Sequence, residues 1–177
     1  SDDDATPLRA PFSFARWMAE GHERGWPTID DFAYHLTTLF PPVRPRGWLE
    51  LRMLDALDAD TWPIAVAVLV ALLLDPAAGM AADEATGSTA GRWSDAAQVG
   101  LSDPGLARSA DCCFVAALDA LPRLNASAGV RDAVGAYAER YIERRRCPAD
   151  DRLDEWHRTG RLLPAGIPCG REPAWAS

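Results

Sequence analysis

Residues Ile64 to Leu74 form an uninterrupted apolar run, IAVAVLVALLL, held between Pro63 and Asp75-Pro76. Its length and alanine content favour helix over strand, and a helix apolar at every angle must be covered on all sides. Eleven residues fall far short of the ~20 that cross a bilayer. The run therefore predicts a helix buried all round inside a globular protein. Composition agrees: hydrophobic residues are 48% and charged residues 25% of 177, which are ordinary globular values. That length suits one domain or a piece of something larger.

Further helices announce themselves by their caps. Ser13 precedes Phe14, Trp17 and Met18 at helical spacing. Thr28 with Asp31 three residues on resembles a capping box, opening a helix with Phe32, His35, Leu36 and Leu39 on one side and Pro41-Pro42 beyond its end. Asp60 or Thr61 is placed to cap the apolar run, with Pro63 suited to a first helical position. Arg92 to Leu101 forms another segment. Asp103-Pro104 opens one with a stripe of Cys113, Phe114, Ala117, Leu118 and Leu121, and Val130, Val134, Tyr137 and Tyr141 mark the next. Asp150 or Asp151 is a candidate cap for a short helix holding Leu153 and Trp156. Gly87 to Gly91 reads as a loop between helices, the first ten residues as a frayed acidic lead, and residues 161–177 as coil.

Between these helices lies a different pattern. Residues 47 to 53 alternate like a strand, with Leu49, Leu51 and Met53 on one face and Trp48, Glu50 and Arg52 on the other. Arg44 and Arg46 share the second parity. A carboxylate and guanidinium two residues apart suit a site where Glu50 ligates Mg²⁺ and Arg52 holds phosphate oxygens. The same pattern also describes a solvated sheet face carrying a surface ion pair. Arg44, Arg46 and Arg52 are equally an anion-receiving surface or an edge strand blunted by charge and proline. His35 reads as a boundary residue of its helix that could reach the same region.

The charge balance removes several functions. Eighteen basic against 26 acidic residues leave −8, which argues against a nucleic-acid binder. Every basic residue is arginine. Schiff-base chemistry, a P-loop lysine and a lysine general base are thereby excluded. Arg140, Arg144, Arg145 and Arg146 gather at a helix end, where the dipole favours them. Cys112, Cys113, Cys147 and Cys169 fit neither zinc spacing nor CxxC, and read as small buried hydrophobes in a reduced compartment. No signal peptide is evident, the chain opens Ser1-Asp2-Asp3-Asp4 without Met, and the expected location is the cytoplasm.

The stretch Tyr34 to Arg44, YHLTTLFPPVR, followed by Leu49-Glu50-Leu51-Arg52 and Asp55, resembles the glutamate–cysteine ligases of the plant and actinobacterial type, most closely the actinobacterial enzymes of the ergothioneine pathway. Tyr141 to Arg144, Arg146 to Asp151, Leu8 to Phe12 and Trp17 to His22 extend the likeness over most of the chain. The resemblance implies an α+β protein: the C-terminal part of a glutamine-synthetase-like carboxylate–amine ligase fold, mostly helical with one or two antiparallel strands. On that reading residues 1–177 are the C-terminal segment of a single catalytic domain, with a strand near 47–54, a helical region 61–158 and a coil tail 159–177.

It also implies ATP-dependent joining of the γ-carboxyl of L-glutamate to the amine of L-cysteine, through γ-glutamyl phosphate. ATP and Mg²⁺ are the implied cofactors. Glu50 takes the metal-binding role and Arg52 the catalytic, phosphate-contacting one. Arg44 and Arg46 are substrate-binding candidates without an assigned ligand. Family members run to several hundred residues, so the missing N-terminal portion of the same enzyme is an expected partner, and this chain alone is expected to be inactive. No nucleic-acid or membrane partner is expected. Two other readings stay open: a noncatalytic helical interaction module, and a ligase with a different amine acceptor.

Overall fold

A computed structural model describes residues 12–160. The acidic lead, the Leu8–Pro11 part of the resemblance, residues 161–177 and Cys169 lie outside the described residues. The chain divides into two compact units at Leu54–Asp55. The described residues are mostly helical with one two-stranded antiparallel sheet, an α+β composition.

The first unit begins with α1 (Phe14–Glu20), capped by Ser13, whose hydroxyl accepts from Arg16 N–H. The expected box at Thr28 and Asp31 opens α2 (Ile29–Thr38), and aspartate is long enough to close it: its carboxylate accepts from Thr28 N–H at 2.8 Å. Phe14 joins the two helices, 5.5 Å from Phe32 and stacked on His35 at 4.7 Å between ring centres. His35 is thus a half-buried ring in an aromatic contact, as its helical position suggested. Pro41-Pro42 ends the helical path, and β1 (Val43–Pro45) pairs with β2 (Leu49–Leu51). The observed strand is shorter than the expected 47–54. Residues 46 to 48 form the turn, where Gly47 sits at φ +80°, a conformation costly for any residue with a Cβ.

In the second unit the apolar run forms α3 (Trp62–Leu74). Its N-cap is Thr61, but neither Thr61 nor Asp60 caps it through a side chain, and Pro63 occupies the second helical position rather than the first. Asp75-Pro76 does more than stop α3. Asp75 is the N-cap of α4 (Pro76–Thr86), accepting from Ala78 N–H at 2.9 Å with Pro76 as first helical residue. The two helices meet at a bend of 100°. Gly79 permits the approach, because a Cβ there would lie 3.1 Å from the Leu72 carbonyl oxygen.

After α5 (Trp93–Val99) and a 3₁₀ turn, Asp103 caps α6 (Pro104–Ala120) as expected, taking the N–H groups of Gly105 and Leu106 at 2.9 Å each. Helix α6 packs against α3 and α4, and α7 (Ala128–Tyr137) against α3. The core at these crossings is built of small residues, Ala71, Ala78, Ala117 and Ala120, with Val68, Leu121 and Val134 between them. Small side chains let helix backbones close up, and the packing fills with few large groups. From Ala138 the helix widens into a π turn reaching Ile142, which presents the Tyr141 hydroxyl to Asp151 at 2.8 Å.

Helix α8 (Pro148–Thr159) follows. Its N-cap is Cys147 rather than Asp150 or Asp151. Asp150 stands three residues inside and reaches back to Cys147 N–H at 2.7 Å. Cys112 and Cys147 are exposed, which corrects the reading of these cysteines as buried; Cys113 is half-buried. Three arginines of the basic cluster bind carboxylates: Arg145 forks onto Asp111 at 2.6 and 2.7 Å, while Arg140 and Arg146 share Asp151.

The largest departure concerns α3 itself. Val68 and Ala71 face the core, yet Trp62, Val66, Val70, Leu73 and Leu74 are exposed. The run is covered on one side, because the helices of this unit reach only that side. Among the described residues no single helix is long and apolar enough to cross a membrane.

Asp75 also receives both arms of the Arg123 guanidinium, at 2.8 and 2.9 Å. That fork and the Ala78 N–H hold its carboxyl down at about 2, and Arg92 with the Leu106 N–H does the same for Asp103. Free aspartate titrates near about 4. Both carboxylates therefore stabilise the folded state above pH ~4, and that contribution is lost as pH falls from there through about 2. Asp75→Asn keeps a cap acceptor but loses the charge. The expected result is a melting temperature lower by roughly 5–10 °C at pH 7, with a smaller further drop between pH 4 and 2 than the unaltered chain shows. Parallel acid profiles in calorimetry would refute this.

Candidate functional site

The hairpin brings the sequence-predicted residues together. Antiparallel pairing sets Arg44 directly opposite Glu50, and opposite residues project from the same face. The ladder continues at both ends, with Arg46 N–H on the Trp48 carbonyl at 2.8 Å and Arg52 N–H on the Pro42 carbonyl at 2.7 Å. Arg44, Arg46, Glu50 and Arg52 consequently share one face, as their parity suggested. Arg44 grips Glu50 through Nε and Nη2, with contacts of 2.7 to 3.0 Å. Arg46 and Arg52 stand 3.8 Å from the same carboxylate, beyond hydrogen-bond reach.

Three guanidinium groups against one carboxylate leave a local charge of 3 − 1 = +2 in a chain whose net charge is −8. Hydrogen bonds from Arg44 hold the Glu50 carboxyl below its ordinary range, partial burial opposes them, and the charges of Arg52 and Arg46 add to the lowering. Glu50 is ionised at neutral pH.

Arg52 is held differently from its neighbours. Its guanidinium lies over the Phe40 ring, 4.9 Å from the centre, and its Nη1 is buried without a hydrogen-bond partner. An unsatisfied buried donor on a cation is costly, and such groups mark places where a ligand supplies the missing acceptor. Arg44 is occupied and Arg46 is the most exposed of the three. The arrangement holds one paired arginine, one exposed arginine beyond hydrogen-bond reach of Glu50, and one guanidinium with a buried nitrogen that lacks an acceptor.

In the sequence Phe40 is one residue of the stretch Tyr34 to Arg44, with no role of its own. Its role follows from the Pro42–Arg52 backbone bond, which brings the segment after α2 beside the end of β2. The Arg44–Glu50 fork likewise needs the strand register, although the Gly47 turn between two alternating segments was the signal for it.

A magnesium ion commonly takes one or two carboxylates and completes its shell with phosphate oxygens and water. Among the described residues no group of three or more His, Cys, Asp or Glu side chains is placed to hold a metal. Glu50 supplies one carboxylate whose outer lone pairs remain after Arg44 binds. The donor set fits a cation that arrives with a phosphate and is completed by other residues; it is not a protein cage.

A family model described as glutamate–cysteine ligase family 2 matches residues 6–165. The chain belongs to that family. A glutamate–cysteine ligase EgtA of Mycolicibacterium smegmatis is 42% identical over 166 residues, which cover 93% of this chain and 36% of that protein. The EgtA ligases of two Mycobacterium tuberculosis strains are each 42% identical over 142 residues, 79% of this chain and 30% of theirs. The chain thus spans about a third of the length of these relatives. No solved structure matches it. The hairpin and its arginines lie inside the stretch matched to the glutamate–cysteine ligase family.

Proposed function

We propose that this chain is the C-terminal part of an ATP-dependent glutamate–cysteine ligase, serving ergothioneine or a related low-molecular-weight thiol, in the cytoplasm. Its hairpin forms one wall of the active site in a glutamine-synthetase-like catalytic fold. The observation that carries this reading is the unpartnered Arg52 Nη1 within a +2 cluster, on a hairpin inside the family-matched stretch.

The proposed reaction needs such a cluster. A glutamate γ-carboxylate attacks the γ-phosphorus of ATP and releases ADP; the cysteine amine then displaces phosphate from the acyl phosphate. Anion must meet anion in the first step, so positive charge and alignment carry the catalysis. Arg52 would give its unpaired Nη1 to the transferring phosphoryl oxygens. Glu50 would hold Mg²⁺, which supplies charge neutralisation across the phosphates. Arg44 and Arg46 flank the site as carboxylate or phosphate contacts, and Phe40 keeps the Arg52 plane fixed. No protein nucleophile is called for, and the cationic groups this chain contributes are all arginines.

ADP release by the full-length enzyme, supplied with ATP, Mg²⁺, glutamate and a panel of amines, tests the reading. Cysteine is expected to be preferred, giving γ-glutamylcysteine; ADP release that ignores glutamate would overturn it. The 177 residues alone are expected to give no detectable γ-glutamylcysteine, since one carboxylate and three arginines leave most metal and substrate contacts unprovided. Normal turnover by the isolated chain would refute that division of labour.

A further inference from the structure

The exposed side of α3 has no account in the helical unit that carries it. Trp62, Val66, Val70 and Leu73 are 53, 40, 40 and 62% exposed. Spacings of four, four and three place them on one stripe along a helix about 20 Å long. Leu74 extends it at 66%. Single exposed apolar residues are ordinary, but an outer helix face with no polar residue at all is not. A stripe of this kind marks a surface that is covered in the working molecule.

We infer that the outer face of α3 docks the upstream polypeptide of the ligase, anchoring this helical unit to the rest of the enzyme. The inference rests on the reading of this chain as part of a longer ligase. Its occupant is argued from length and charge. Nearly two thirds of the Mycolicibacterium smegmatis relative lies outside the matched stretch, which covers that protein's C-terminal part. A large body of polypeptide is therefore available to cover the stripe. A lipid surface suits it poorly: the arginines at the two ends of α3, Arg152 and Arg123, are paired with Asp58 and Asp75, so no free basic rim is there to meet acidic headgroups.

The test places a photo-crosslinking amino acid at Val70 of the full-length ligase, with Val66 as a second position if the first variant fails to fold. Asp83, an exposed polar site on α4, is the control. Mass spectrometry is expected to find cross-links from position 70 to residues upstream of the matched stretch, at least ten times the yield from position 83. Cross-links to a second copy, to lipid or to another of these 177 residues would overturn the inference, as would equal yields at both positions. Activity measured on the same preparations separates the two readings. Upstream cross-links in a protein that does not ligate glutamate would leave the interface and remove the function; an active ligase without them would do the reverse.

Discussion

Arg52→Ala in the full-length ligase is expected to lower kcat by about 10²–10³-fold, the usual loss when one preorganised donor to a developing anionic charge is removed. The folded protein should scarcely notice. Arg52 Nη1 has no partner to lose, and the guanidinium gives up a contact with Phe40, worth about 0.5–1 kcal/mol, and a 3.8 Å charge contact with Glu50 that contributes little. Activity and stability should therefore separate, with the melting temperature moving by only a few degrees. Arg52→Lys is expected to recover little. An ammonium is a compact point charge, whereas the guanidinium presents fixed parallel donors to phosphate oxygens and stacks flat on an aromatic ring. If Arg52 acts on the transferring phosphoryl group, kcat falls more than the KM for ATP rises. A rise in KM alone would reassign it to uniform nucleotide binding. Unchanged kcat and KM would remove it from the site.

The elements that sequence pattern revealed were those whose ends are made locally. Ser13, Thr28 with Asp31, and Asp103 with Pro104 each satisfy orphan N–H groups within three residues, so the signal and the structure occupy the same few positions. Where two local solutions compete, pattern alone did not choose. Asp75-Pro76 reads as the end of an apolar run, but the same pair is a cap and a first helical residue, and α4 begins there without a loop. In Pro148-Ala149-Asp150-Asp151 each aspartate is a plausible cap, yet Cys147 takes the position because Asp150 can reach back to its N–H.

The site shows the same division between local and non-local information. Alternation told which side chains share a face of the hairpin. It did not tell that Glu50 pairs with Arg44 across the strands rather than with Arg52 along its own. That choice depends on register, which the Gly47 turn imposes. The apolar run was legible as a helix and misleading as a core. Periodicity reports that a face must be covered, but not which polypeptide covers it.

Glu50→Gln should have the second large effect, and its form distinguishes two roles for one carboxylate. As the proposed metal ligand, Glu50 sits among three guanidinium groups that oppose a bare cation but favour one carried by phosphate. Glutamine keeps the shape, removes the charge and turns an amide donor toward Arg44, so the local charge rises from +2 to +3 and the fork is broken. Turnover is expected to fall about 10²-fold or more, and the Mg²⁺ concentration giving half-maximal rate to rise about 10–100-fold. Metal-free phosphate binding to the cluster should hold or tighten, since the carboxylate no longer competes for the arginines. If Glu50 serves only to organise those arginines, activity falls while the Mg²⁺ dependence stays where it was. Arg44→Gln provides the counterpart: it frees Glu50, which should leave the Mg²⁺ midpoint unchanged or lower it. Because Arg44 holds the Glu50 carboxyl below the ordinary glutamate range, the pH–rate profile should show no limb above that range from this group. Such a limb, present in the unaltered enzyme and absent from Glu50→Gln, would mean the carboxylate works as a proton carrier and not as a fixed charge.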